Sequence, residues 1–459
     1  IEFNKKNQKS GWNEKLIYRI HKILEAKKID KSYLDKINSK SFNSSKIIRR
    51  KKINYIFGNK VNFLLNILYK LGINKCVFNR IYSGSTFSTI RLFFKLGEIP
   101  TKFFFSDIYF KEKFITKLRK KININLNIGN KKERLIRLML LEMFPTVYLE
   151  GFKRLKKMLK EQNLPKNKII IYSRNIWKND LFNFWVANQV NNGSKLISGQ
   201  HGIGYGMSKR SFGDFFEPRI SDKYFNWGQK VKIKNVIRST IPSKDILLNS
   251  KNQKKNVLKN KKILIVCGFG WDYLIRNSLF NGFYEKFISI ENFAEKISKS
   301  FRKHILIKPH PKEIVGQVNF SKIISKKFDN EVKILEKKQN VSNFILEARI
   351  SVFTSMGTEF LKTLVLNRPC IYLVQNSELK NLNENALKYF RDLHKNNIVH
   401  FNGLNAAKFI NNNLGNIEKW WFSHQTQKSI KNFTNEFACT NDNLYQRFEK
   451  TLIDVRKTI

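Results

Sequence analysis

Cysteine is scarce in this chain: four in 459 residues, Cys76, Cys267, Cys370 and Cys439, with no Cys-x-x-Cys pair. That spacing builds neither a disulfide framework nor a zinc knuckle, and it fits a reducing cytoplasm. Acidic residues are scarce as well, 35 Asp and Glu against 87 Lys and Arg, which leaves a formal charge of +52. Long apolar runs are missing. Val61 to Ile73 is broken by Lys70, and Leu135 to Leu149 by Arg137 and Glu142, so no segment reaches the roughly 20 apolar residues that span a bilayer. There is no Gly-x-x-x-x-Gly-Lys-Ser/Thr loop, no Asp-x-Asp pair to hold a divalent metal beside a diphosphate, and no His or Cys cluster with ligand spacing. An ATPase and a metal-dependent transferase both lose ground, and no metal or other cofactor is expected.

What the chain does have is apolar content, 42% hydrophobic and 13% aromatic, which is too much for a disordered polymer. At roughly 150 residues per domain its length allows two or three domains. The excess cations are mostly Lys set among Asn, Ile and Phe. AT-rich coding alone would give this composition, and so would selection for a basic surface that meets nucleic acid or anionic lipid. The sequence opens on Ile1 and not on Met, as expected of a fragment, so a leader ahead of it is left open.

Apolar spacing of the helical kind, as at Leu135, Leu138, Leu141 and Met143, predicts a mostly helical region over 1–150. From Lys168 short apolar bursts alternate with helical stretches, the pattern of βαβ units and a parallel sheet; this predicts an acceptor-side Rossmann-like domain over 151–242. A Lys-, Asn- and Ser-rich linker follows at 243–262. The alternation restarts with bursts at Lys262–Cys267, His304–Lys308, Val332–Leu335, Ile350–Phe353 and Cys370–Val374, predicting a nucleotide-donor domain over 263–415. Helices over 416–459, with Trp420 and Trp421, are expected to pack back across the domains. In open α/β sheets ligands sit beyond the carboxyl ends of the strands, so the loops there carry the candidate site.

The first such loop is Gly199-Gln-His-Gly-Ile-Gly-Tyr-Gly206. Its glycines allow close backbone approach and positive φ, and a turn of this kind after a strand can aim N–H groups at an anion or serve only as a turn. His201 inside it is a candidate base or hydrogen-bond donor, with Gln200, Gly202, Gly204 and Tyr205 as acceptor-side partners. Asp214, Glu217 and Asp222 follow; each is a candidate base or simply a solvated or capping carboxylate. The second loop is Lys308-Pro-His-Pro311, where two prolines fix His310 beside Lys308, placed to stabilise charge on a leaving phosphate. The third, Thr354-Ser-Met-Gly-Thr-Glu359, opens a helix, and its hydroxyls and N–H groups form either an anion site or an ordinary cap. As an anion site, Thr354, Ser355, Gly357 and Thr358 would hold phosphate, while Glu359 either bonds a ribose hydroxyl or only complements the helix dipole. Gly268 and Gly270, after the Lys262 strand, are a looser phosphate-loop candidate.

Met143-Phe-Pro-Thr-Val-Tyr-Leu-Glu-Gly151, the Gly199 loop, Glu217 with Ile220-Ser-Asp-Lys-Tyr-Phe-Asn-Trp-Gly228, and Glu359-Phe-Leu-Lys-Thr-Leu-Val-Leu-Asn-Arg-Pro369 together resemble a family of transferases from bacterial O-antigen and surface-polysaccharide loci. More distantly, Lys308-x-His-Pro311 followed by Thr354-Ser355 resembles the donor site of bacterial sialyltransferases, polysialyltransferases and Kdo transferases. That resemblance implies a GT-B-like α/β fold of two Rossmann-like domains facing a central cleft. It also implies a CMP-activated sugar used without metal, with donor binding on Lys308, His310, Thr354 and Ser355. The acidic base motif of those enzymes has no counterpart here, which leaves the base open among His201, Asp214 and Glu217. The expected function is a metal-independent glycosyltransferase of surface-polysaccharide assembly that takes a nucleotide-sugar donor and a glycan or lipid-linked acceptor. Its expected place is the cytoplasm, with peripheral contact at the anionic inner face of the membrane and no nucleic acid partner. The alternatives are a teichoic-acid-type transferase using a CDP-alcohol and a non-enzymatic RNA-binding protein, the latter supported by charge alone.

Overall fold

A computed structural model describes residues 61–79, 86–101, 112–122, 128–162, 164–166, 169–172, 179–209, 211–241, 261–268, 283–310, 320–336, 338–440 and 442–458. Gly270, Pro311, nearly all of the expected linker and the first 60 residues of the expected helical region lie outside the described residues. The chain forms two compact units. One comprises the chain through Asn79 together with Gly97–Ile170 and Arg174–Ser194; the other comprises Arg80–Leu96, Ile171–Ser173 and Lys195–Ile459. This division follows packing and does not coincide with the boundaries expected at 150, 242 and 263.

The first unit is largely helical in its described part, with helices Lys131–Met143, Phe152–Glu161 and Asp180–Asn191. Helix Lys131–Met143 starts where Asn130 accepts from the N–H groups of Lys132 and Glu133 while Glu133 returns a bond to Asn130 N. This reciprocal cap satisfies donors that a helix start leaves open. One strand, β1 (Cys76–Asn79), falls inside the stretch expected to be helical, and Lys75 O there accepts from Ile169 N at the start of β2 (Ile169–Tyr172). Four residues are too few for the periodicity to separate a buried strand from a buried helical turn.

The second unit is α/β, the class expected. Strands β3 (Lys195–Gly199), β4 (Lys223–Asn226) and β5 (Val236–Arg238) pair in parallel, each beside its predecessor. A second parallel sheet contains β6 (Ile263–Val266), β7 (Ile305–Lys308), β8 (Lys333–Ile334), β9 (Ile350–Phe353), β10 (Cys370–Leu373) and β11 (Val399–His400), in the order β8-β7-β6-β9-β10-β11. Numbered by sequence this is 3-2-1-4-5-6, the Rossmann order, and it places the topological switch between β6 and β9.

The central strands β6, β9 and β10 are almost wholly apolar and buried, as strands covered on both faces are, whereas the edge strand β8 is exposed. Side chains alternate between two cores. Ile263, Ile265, Ile305, Ile307, Val352, Ile371 and Leu373 enter one, with Phe293 and Ala406 from helices Phe283–Lys296 and Gly403–Asn413. Leu264, Phe353, Cys370 and Tyr372 enter the other, with Phe360, Phe390, Trp421 and Phe433. The last segment runs from one sheet to the other. Helix His424–Phe437 packs on helices Thr358–Val365 and Glu384–Lys395, Cys439 N donates to Trp227 O after β4 at 2.8 Å, and the Phe448 ring meets Phe225 of β4 at 4.7 Å. All four cysteines are buried and none is in a disulfide, and among the described residues no helix is long and apolar enough to cross a membrane.

Gly403 shows how tightly the first of these cores closes. A methyl group there would collide with the carbonyl oxygen of Ser289 and the amide of Phe293, both rigid backbone of the facing helix. Gly403→Ala must therefore push the two helices apart, and it is expected to destabilise by about 1–3 kcal/mol in urea unfolding; an unchanged midpoint would mean that the helices are not in contact at this position.

Candidate functional site

β3 ends at Gly199, and the chain turns through Gln200 to Lys209. Gly204 and Gly206 adopt φ of +96° and +66°, values that explain glycine at both positions. The turn is fixed from both sides. Gln200 Oε1 accepts from Trp227 N at 3.0 Å and its Nε2 donates to Gly202 O at 2.9 Å. Gln229 Nε2 donates to Tyr205 O. Met207 O and Gly206 O accept from the backbone N and side-chain amide of Asn383, each at 2.8 Å. Lys209 N donates to Asn381 O at 2.8 Å, and Ser208 bridges to Leu382. The loop of the first sheet is thus stitched to the segment that follows β10 of the second.

Inside this turn sits a relay of three side chains. His201 Nδ1 lies 2.9 Å from Tyr205 Oη. Tyr205 Oη donates to the Glu217 carboxylate at 3.1 Å, and His201 Nδ1 is itself 3.5 Å from Glu217 Oε1. The His201 and Tyr205 rings meet edge to face, 5.4 Å apart. Gly213 makes room for the tyrosine, since a methyl group there would overlap its ring. His201 Nε2 lies 3.3 Å from Tyr205 Oη; because the tyrosine proton goes to Glu217, the nearer Nδ1 is assigned as the nitrogen that donates to Tyr205, which leaves the lone pair on Nε2. The Glu217 side chain is 1% exposed and that of His201 14%, so the imidazole can meet a substrate and the carboxylate cannot.

The other acidic candidates have structural work. Asp214, in the first turn of helix Phe212–Ile220, accepts from Gly206 N at 2.7 Å and so holds the turn. Asp222 accepts from Leu196 N at 2.8 Å and pairs with Lys195, tying the start of β3. Gln200 is buried, and its amide bonds to the backbone of Gly202 and Trp227. Burial raises the Asp214 carboxyl to about 6, against the pull of the Gly206 and Ser211 hydrogen bonds.

At the switch point of the second sheet, Gly268 leaves β6 as Thr354 and Ser355 leave β9. Thr354 is buried, and its hydroxyl accepts from Gly268 N at 2.9 Å and lies 3.4 Å from Val266 O. It joins the two loops, which leaves Ser355 as the half-buried hydroxyl of the pair. Gly268 lies so close to Ser355 that a methyl group would collide with its Cβ and Oγ. Helix Thr358–Val365 begins at Gly357, which offers no capping side chain and has open space above its Cα. A helix start of this kind presents N–H groups and positive potential to an anion. Glu359, in the first turn, binds Lys362 through Oε1 at 2.9 Å, while its Oε2 is buried with no hydrogen-bond partner.

Lys308 ends β7, beside β6, but its ammonium turns back to the carbonyls of Pro309 and Glu336 at 3.3 and 3.1 Å. It holds its own loop, while His310 emerges half-buried two residues on. The sequence-derived residues therefore gather in two groups, His201–Tyr205–Glu217 with Asp214, and Gly268–Thr354–Ser355 with Gly357 to Glu359. One apolar cluster containing both Met207 and Met356 joins them. Gly213, Gln229 and Asn383 were not singled out from sequence; the Asn383 stitch in particular joins residues 177 apart and has no local signature. Among the described residues no group of three or more His, Cys, Asp or Glu side chains lies together as a metal site would.

A model of the LIC12162 family transferase matches residues 1–452, and no curated protein matches the chain. Among solved structures, the wall teichoic acid polymerase TagF is similar at 12% identity and a TM-score of 0.39, over 64% of this chain and 74% of that one. A UDP co-structure of Staphylococcus aureus MnaA is similar at 11% and 0.42, over 72% and 87%. Acinetobacter baumannii MurG is similar at 9% and 0.39, over 67% and 77%. At TM-scores below 0.5 these likenesses carry nothing about chemistry.

The raised Asp214 value makes a prediction about stability. The native state holds this proton more tightly than the unfolded chain, so the group's stabilising contribution is complete below the unfolded value of 3.8 and is lost as the pH rises through about 6. Asp214→Asn keeps an acceptor for Gly206 N without the charge. The variant should melt higher than the parent above pH 6, by on the order of 2 kcal/mol, and the difference should vanish near pH 4. Identical melting curves across that range would contradict the burial.

Proposed function

Because the chain belongs to the LIC12162 family of transferases, we propose that it is a metal-independent glycosyltransferase of bacterial surface-polysaccharide assembly. It moves a sugar from a CMP-linked donor to a glycan or lipid-linked acceptor on the cytoplasmic side. The observation that carries this reading is the edge of the second sheet at its switch point. There an uncapped helix start, the Ser355 hydroxyl packed on Gly268, and an unpartnered buried oxygen of Glu359 lie within a few residues of one another. Helix starts bind phosphate, and a carboxylate oxygen lacking a donor suits a ribose hydroxyl. Resemblance to CMP-sugar enzymes on Ser355 and His310 supports the nucleotide assignment.

In this reading the acceptor O–H gives its proton to His201 Nε2 as its oxygen bonds to the anomeric carbon. The bond from that carbon to the donor phosphate breaks, and the phosphate leaves with the electron pair. Glu217, 3.5 Å from Nδ1, compensates the imidazolium that forms, and Tyr205 holds ring and carboxylate in register. The helix start, Ser355 and His310 receive the charge on the leaving phosphate.

The proposal is tested by a melting screen against CMP, CDP, UDP and GDP, followed by turnover. CMP should raise the midpoint, and Ser355→Ala and Glu359→Gln should remove most of that rise. A response to UDP alone would reject the cytidine assignment, and turnover of a CDP-alcohol without CMP-sugar transfer would reject the sugar. His201→Ala should lower kcat by about 100-fold or more with the CMP shift intact, and Tyr205→Phe by less; a fully active His201→Ala variant would remove the imidazole from the chemistry.

A further inference from the structure

In the first unit a short helix, Thr116–Lys120, packs against helix Lys131–Met143, and both turn large apolar side chains to solvent. Phe114, Ile115 and Leu118 belong to the first segment; Ile136, Leu140 and Phe144 recur every four residues along the second. All six are between 38% and 58% exposed, enough that each leaves apolar area in water at roughly 25 cal/mol per Å².

The short segment is held firmly. Arg119 and Glu150, with side chains 3% and 1% exposed, form a two-pronged pair at 2.6 and 2.7 Å, and Glu150 also accepts from Ile115 N at 3.0 Å. The Arg119 guanidinium stacks on the Phe114 ring at 4.1 Å. Its charge and hydrogen bonds hold the Glu150 carboxyl down at about 2, so the clamp is charged at any physiological pH. A buried ion pair contributes little net stability against an apolar replacement; what this one does is fix a segment whose apolar side chains face water.

Cations flank these side chains. Lys113, Lys117, Lys131 and Lys132 are exposed, whereas the neighbouring Glu133 is engaged in the cap at Asn130 and Glu112 pairs with Arg154. Large apolar side chains beside unpaired lysine charge are the chemistry of a surface that enters the headgroup layer of an anionic bilayer. Protein interfaces, by contrast, are depleted of lysine. We propose that the face formed by Phe114–Leu118 and Ile136–Phe144 docks on an anionic lipid bilayer, with the Arg119–Glu150 clamp presenting its apolar edge. The inference is independent of the reaction proposed above, because vesicle binding is measured without a donor or an acceptor.

The test is co-sedimentation of the full chain with vesicles of phosphatidylcholine containing about one third phosphatidylglycerol, against phosphatidylcholine alone, at low and high salt. Binding is expected only to the anionic vesicles and should weaken as salt rises. Ile136→Gln with Leu140→Gln, which removes apolar edge and no charge, should weaken partitioning about tenfold; Lys113, Lys117 and Lys131 changed together to Gln should weaken it by about 100-fold. Unchanged melting of both variants shows that the fold persists, and Lys234→Gln, a single lysine change in the second unit, serves as the control for loss of one charge. Equal binding to neutral and anionic vesicles, no binding at all, or full binding by the Ile136/Leu140 variant each overturns the proposal. A parent that is dimeric, ignores vesicles and becomes monomeric in that variant assigns the face to a second copy instead.

Discussion

The short stitch between residues 206–209 and 380–383 is the constraint on which the candidate site depends. Asn383 spends both its backbone N–H and its side-chain amide on carbonyls of the glycine turn, and Lys209 returns a backbone bond to Asn381. Without these bonds the turn after β3 would be a mobile glycine loop, free in φ and ψ at several positions. With them, the turn that carries His201 is referenced to the sheet that carries Ser355. Beneath the polar seam Ile203 and Met207 enter the same apolar cluster as Phe353, Met356 and Phe360, so the stitch closes over a dry contact where backbone bonds are shielded from competing water.

Around that seam the acidic residues divide by function. Asp214 is half-buried and aimed at Gly206 N, so it sets the backbone. Glu217 is buried more deeply and aimed at Tyr205 and His201, so it sets a side chain. Neither carboxylate can meet a large substrate directly, and the exposed member of the network is the imidazole. A carboxylate held behind a histidine favours one tautomer and lowers the cost of protonating it, which is what a proton acceptor at neutral pH requires. The second group depends on missing side chains. Gly268 lets Ser355 pack against its backbone, Gly357 leaves open space above the helix start, and Thr354 is consumed in joining two loops, so Ser355 and the helix start are the polar groups not spent on that junction.

Much of this was legible in the sequence. The alternation of apolar bursts and helical stretches gives the parallel sheets, because a strand covered on both faces must be apolar throughout. The four candidate loops follow the carboxyl ends of strands β3, β6, β7 and β9. Roles were harder to read than places. Lys308 and Gln200 stand in candidate loops by sequence, and in the structure their polar atoms bond to nearby backbone, an arrangement that only the fold reveals. Thr354 and Ser355 are adjacent in sequence but face opposite tasks, a distinction set by which hydroxyl lies under Gly268. Gly213 and Gln229 gave no signal, since one acts by having no side chain under Tyr205 and the other reaches it from beyond β4. Contacts of that kind arise from tertiary packing, which local pattern does not encode.

The proposed place of the nucleotide phosphate is the start of helix Thr358–Val365, beside Ser355 and Gly268. Amide hydrogen exchange with and without CMP measures this directly, because a bound phosphate protects the N–H groups it touches. Protection concentrated at Ser355 to Leu361 and at Cys267–Gly268, with a smaller effect in the turn at 201–207, is the predicted result. A nucleotide that binds while those amides exchange at an unchanged rate, with protection gathered on other loops, would contradict it.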